Sequence, residues 1–89
     1  MDIAQRFGEN LRHQRRRAGF SQEETGVRAS LHRTEISQLE RGLRVARIDT
    51  VIKLAGALEI EPSELFEGIA WEPGSVHRGQ FKPGPNATL

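Results

Sequence analysis

Apolar residues in this chain recur at helical spacing in short runs, and glycine or proline interrupts each run. Ile3, Phe7 and Leu11 return every fourth residue, which predicts a helix from about Ile3 to Ala18 with Gly19 as its left-handed stop. Ser21 then offers a cap to the free amides of a second helix, and Glu24 three residues on completes a capping box. Ala29-Ser30-Leu31 reads as a turn, apolar spacing resumes at Ile36 and Leu39, and Gly42 ends a third helix. A fourth is expected from about Ile48 to Leu58, with Ile48, Val51, Ile52, Ala55 and Leu58 on its inner face. Pro62 suits the first position of a fifth, which ends at Gly68 and buries Leu65 and Phe66. No segment shows the two-residue alternation of a strand, so the expected class is all-α with five helices.

Composition narrows the reading. A chain of 89 residues makes one small domain, and with no cysteine it has neither disulfides nor a Cys-based zinc site. Its stability must come from helix packing, from a partner subunit, or from both. Near Trp71 the composition changes: Glu72 to Leu89 holds three of the four prolines and three of the nine glycines. That stretch cannot build a core and reads as an extended tail, which gives a domain over 1–70 and a tail over 71–89. No apolar run is long enough to span a bilayer and no charged-then-apolar leader opens the chain. The expectation is a soluble cytoplasmic protein that does not contact membranes.

Charge is divided unevenly. Residues 1–47 carry ten arginines against six acids, a surplus of +4. Residues 48–89 carry three basic residues against six acids, a balance of −3. A basic half of this kind suggests a face that meets an anion, and arginine's planar fork suits phosphates and base edges. Enzymatic chemistry finds little support. His13, His32 and His77 lack metal-ligand spacing, there is no cysteine nucleophile, and the glycines are too dispersed for a phosphate loop. No cofactor is expected. An aromatic platform for single-stranded bases is missing as well.

The informative stretch is Gln22 to Arg41, a short helix, a tight turn and a second short helix. A helix-turn-helix crosses its two helices steeply and needs a small residue where the backbones approach, and Gly26 stands there. Ala29, Leu31, Ile36 and Leu39 supply the inward apolar positions. This spacing resembles the Cro/cI-type, or xenobiotic-response-element, helix-turn-helix family of bacterial and phage regulators. The resemblance runs from about Phe7 to Phe66. It is carried by Leu11-x-x-x-Arg15, Gly19-Phe20-Ser21-Gln22-Glu23-Glu24, Ile36-Ser37-x-Leu39-Glu40-Arg41-Gly42 and Leu54-Ala55-x-Ala57-Leu58. It implies a lambda-repressor-like domain. Three positions depart from the family pattern: Thr25 replaces leucine, Ser30 replaces the turn glycine, and His32 replaces a Ser or Thr cap. A left-handed backbone at Ser30 would carry strain.

The resemblance implies that the third helix lies in the DNA major groove, with Arg33, Thr34, Ser37 and Gln38 as base contacts. Helical period supports the same four, because Ile36 and Leu39 turn inward and leave them on the opposite side. Arginine pairs with guanine, glutamine with adenine, and threonine meets a thymine methyl. Gln22, at the start of the second helix, and Arg41, Arg44 and Arg47 after the third are the expected phosphate contacts. In the family the arginine at Arg15 pairs with the glutamate at Glu40, so that pair is expected to be structural. Arg16 and Arg17 are either solvated or distant phosphate contacts.

One such motif reads few base pairs, and the usual solution is a two-fold dimer on a palindromic operator with half-sites about one helical turn apart. Leu65, Phe66, Ile69, Trp71 and Phe81 are the expected dimer surface, with the tail as an arm across the partner. The function expected is a DNA-binding transcriptional regulator acting as a homodimer, a stand-alone repressor or a controller of a restriction–modification system. The alternative is an antitoxin-type module that neutralises a toxin partner and regulates its own operon.

Overall fold

The structure, a computed structural model, describes residues 2–75 and 78–84. Four α-helices open the chain: α1 (Ile3–Ala18), α2 (Gln22–Ala29), α3 (Arg33–Glu40) and α4 (Ile48–Leu58). Each has a local cause. Asp2 caps α1, with the Gln5 N–H donating to its Oδ1 at 2.8 Å and the Asp2 N–H donating back to Gln5 Oε1 at 3.0 Å. Ser21 caps α2 by accepting from the Glu24 N–H at 3.0 Å. Gly19, at φ 81°, ends α1 in the left-handed conformation.

Two expectations about fold class need correction. The fifth segment, Pro62–Phe66, is a 3-10 helix and not an α-helix. The segment has only five residues, Pro62–Phe66, before Glu67, whose ψ of 133° is extended, so the tighter i to i+3 ring is the one that fits. The chain is also not strictly all-α. Strands β1 (Ile69–Glu72) and β2 (Gln80–Pro83) pair antiparallel, with Trp71 opposite Phe81 and Glu72 opposite Gln80. Strand β1 therefore begins inside what reads as the domain and ends in what reads as the tail. Four-residue strands are too short to display alternation, and the pairing joins residues about ten positions apart. Val76, His77 and Pro85–Leu89 of the expected tail lie outside the described residues.

The hairpin is held by side chains. Trp71 and Phe81 meet edge to face with centroids 5.0 Å apart, and Gln80 Nε2 donates to Glu72 Oε2 at 2.8 Å. Gly79 lies directly under the indole, where a Cβ would come within 2.1 Å of Trp71 Cζ2.

The core gathers Phe7 and Leu11 from α1, Ile36 and Leu39 from α3, Val51, Leu54 and Leu58 from α4, and Leu65. Helices α1 and α3 cross closely at Gly8, where a Cβ would stand 2.3 Å from the Leu39 carbonyl oxygen. The inner face of α4 differs from expectation. Ile48 and Ile52 are 84% and 56% exposed, while Leu54 and Ala57 are buried. Because α4 packs on α2 and the 3-10 segment, its buried stripe centres on Leu54 and Leu58, and both isoleucines fall to one side of it.

Candidate nucleic-acid interface

Helices α2 and α3 form the bihelical element that the site depends on. A Cβ at Gly26 would come within 2.6 Å of the Leu31 carbonyl oxygen and 3.3 Å of the Arg33 nitrogen, so only glycine lets the turn pass this closely. The turn is a left-handed cap: Ser30 sits at φ 57°, and the Leu31 N–H donates to the Gly26 carbonyl at 2.8 Å. His32 is the N-cap residue of α3 and makes no side-chain capping bond.

The period of α3 then divides its residues. Ile36, Leu39 and Glu40 are buried. Arg33 and Thr34 are exposed, and Ser37 and Gln38 are half-buried at the surface. The three arginines that follow are also exposed, each beside a polar neighbour. Arg41 Nε donates to the Ser37 carbonyl at 3.4 Å, Arg44 Nη1 to Gln38 Oε1 at 3.4 Å, and Arg47 Nε lies 3.3 Å from Asp49 Oδ1. The chain thus brings donors and cations together along one helix and the loop after it.

Behind this surface lies a buried carboxylate. Glu40 receives both Nε and Nη2 of Arg15 (the latter at 2.9 Å), Gln22 Nε2 at 3.1 Å, and Arg12 Nε at 3.4 Å. Arg15 also donates to the Phe20 carbonyl at 2.9 Å, which ties α1, the α1–α2 turn and α3 at one point. Burial pushes the Glu40 carboxyl up, but hydrogen bonds from Arg15 and Gln22, the Arg15 charge and the Arg12 contact outweigh it. The net result is a carboxyl held below its ordinary range. Arg15 moves the other way, its hydrogen bond to Glu40 raising it against the opposing effect of burial. One Gln22 Nε2 hydrogen is thus engaged by Glu40, which leaves the second and the backbone amide at the start of α2. Arg12 is the donor that sequence reasoning missed; its position three residues before Arg15 on the same helix face was the available signal.

Residues 6–67 match the family model for a helix-turn-helix domain. The chain belongs to the Cro/cI-type helix-turn-helix family. Among relatives of this DNA-binding, transcription-regulating family, control protein C.BamHI of Bacillus amyloliquefaciens is 37% identical over 62 residues, 68% of this chain and 76% of its own. Control protein C.SmaI of Serratia marcescens is 37% identical over 76 residues, 83% of this chain and 90% of its own. The crystal structure of the restriction–modification controller protein C.AhdI from Aeromonas hydrophila superposes with a TM-score of 0.69 at 41% identity. It covers 71% of this chain and 96% of that one. The helix-turn-helix match stops at residue 67, so the hairpin lies beyond it.

Two further side chains in this helix-turn-helix chain hold the scaffold and carry little signal in the sequence. Asn10 Nδ2 donates to the Leu65 and Glu67 carbonyls at 3.0 and 2.8 Å, fastening α1 to the segment after α4. Arg28 Nε donates to the Ala57 carbonyl at 2.7 Å while its guanidinium stacks 4.5 Å from the Phe20 ring centre. The residues expected at a dimer surface separate into two groups. Leu65 is fully enclosed in its own protomer and offers a partner nothing, which corrects that expectation. Phe66, Trp71 and Phe81 are exposed, and Ile69 is half-buried at an apolar cleft that it lines with Phe7, Val45 and Phe66. Among the described residues no helix is long and apolar enough to cross a membrane.

Proposed function

We propose that this chain is a sequence-specific regulator that binds double-stranded DNA as a homodimer on a palindromic operator and represses from it. Arg33, Thr34, Ser37 and Gln38 read base edges in the major groove, while Arg41, Arg44, Arg47 and the first-turn amide of Gln22 meet phosphates. The observation that carries this reading is the division of α3: Ile36, Leu39 and Glu40 are buried, and these four polar side chains are left at the surface beside Glu35. Arg15 and Glu40 serve by holding α3 at its angle to α1. The likeness to two control proteins and to the restriction–modification controller protein C.AhdI favours a restriction–modification locus as the setting.

Dimerisation uses the apolar surface left uncovered on the protomer. Ile48 and Ile52 on α4 are exposed, as are Phe66, Trp71 and Phe81, and Phe66, Ile69 and Phe81 line one apolar cleft. Selection of bound sequences from random duplex DNA at fixed salt tests the proposal. A two-fold symmetric site should emerge, and Arg33→Ala should lose about 1–3 kcal/mol of preference at one base position in each half-site. Binding of all duplexes with equal affinity would refute it.

A further inference from the structure

We infer that Arg44 and Gln38 form a single reading unit that selects guanine, not adenine, at the base it faces. The inference rests on Gln38 facing the groove as proposed above. Arg44 reaches Gln38 because the backbone folds straight back over the end of α3. The Gly42 N–H donates to the Leu39 carbonyl at 3.1 Å and the Leu43 N–H to the Gln38 carbonyl at 3.0 Å, the two bonds of a Schellman motif. Gly42 sits at φ 70° in the left-handed region, and a Cβ there would come within 2.9 Å of Gln5 Cα. The next side chain in the loop is Arg44, whose Nη1 donates to Gln38 Oε1 at 3.4 Å. Consecutive loop residues therefore engage the main-chain and side-chain carbonyls of the same glutamine. The backbone brings the two residues within reach of each other, and their side chains complete the contact.

This contact changes what Gln38 can read. A free glutamine recognises adenine with both ends of its amide, Nε2 donating to N7 and Oε1 accepting from the N6 amino group. Arg44 takes one of the two lone pairs of Oε1 and places a positive charge beside the other, where the adenine amino hydrogens would have to approach. What remains facing outward is a set of donors: the Gln38 Nε2 hydrogens and the free N–H groups of Arg44. Guanine offers two adjacent acceptors, N7 and O6, to such a set, whereas adenine offers one acceptor and one donor. Arg44 then contacts the base together with Gln38, in addition to the phosphate role assigned to it above.

The test uses the full chain and four duplexes that differ only at the base pair to which Gln38→Ala becomes indifferent. At fixed salt the wild type should bind the guanine duplex about tenfold or more tightly than the adenine duplex. Arg44→Ala should reverse that order, and Arg44→Lys should keep it, because an ammonium also donates to Oε1. Arg44 is exposed, so the variants should melt with the wild type. A uniform loss of affinity across all four duplexes in Arg44→Ala overturns the pairing while leaving groove reading by Gln38 intact. A wild type that prefers adenine overturns it too. Gln38→Ala with every base preference preserved overturns both this inference and the assignment of Gln38 to the groove.

Discussion

Two buried polar residues, Glu40 and Thr25, have opposite consequences for stability. Glu40 is completely enclosed and fully partnered, so removing Arg15 leaves a buried carboxylate short of its main donor. Arg15→Ala should cost about 3–5 kcal/mol in urea unfolding. The same cluster sets an acid limit. Because the native Glu40 carboxyl lies below its ordinary value, its contribution is fully present above about pH 4.3. It declines below that and is gone once the pH has fallen past the lowered native value. Glu40→Gln should therefore be less stable than the wild type at neutral pH yet lose less on acidification, as melting curves across pH 3–7 would reveal. Thr25 is the reverse case: its hydroxyl is buried with no hydrogen-bond partner, at a position where the family carries leucine. Thr25→Val removes that orphaned group with little change in shape and should raise stability by about 1 kcal/mol, read from the urea midpoint.

Among the elements, the hairpin has the fewest supports. A two-stranded ribbon is marginal by itself, and beyond its backbone ladder this one is held by an aromatic pair, one cross-strand side-chain hydrogen bond and the Gly84 N–H on the Gly68 carbonyl at 2.9 Å. Gly79, like Gly74, is a position without slack, and a methyl group at Gly79 collides with the indole ring. Gly79→Ala should abolish the near-ultraviolet circular dichroism of Trp71, the single tryptophan, while leaving the helical far-ultraviolet signal in place. Loss of both signals together would mean that the hairpin and the helices fold as one unit.

At the scale of the whole molecule, the question is how a small domain would gain enough surface for the operator recognition proposed above. Ile48 and Ile52 stand on α4 away from its buried stripe, and each burial of such a side chain contributes about 1.5–3 kcal/mol. Ile48→Lys should raise the dimer dissociation constant by at least about tenfold without unfolding the protomer, and sedimentation with circular dichroism separates the two effects. DNA affinity should fall in parallel, because the two half-sites are read jointly. An unchanged sedimentation profile would place the dimer surface elsewhere, with the hairpin as the next region to vary.

What the sequence determined alone was governed by neighbours a few residues apart: four helices, the Ser21 cap of α2 and the Gly19 stop of α1, the close turn at Gly26, and the outward set Arg33, Thr34, Ser37 and Gln38. Helical period and capping are short-range rules, so they can be read from the order of residues. The resemblance to a known family added the Arg15–Glu40 pair. Tertiary structure decided the remainder. It turned Ile48 and Ile52 outward, because the face a helix buries depends on which elements lie against it. It buried Leu65 and paired Trp71 with Phe81 across a loop, contacts between residues far apart in sequence. And it brought Arg44 back onto Gln38, because the path of a loop after a left-handed glycine is set by what the chain must pack against.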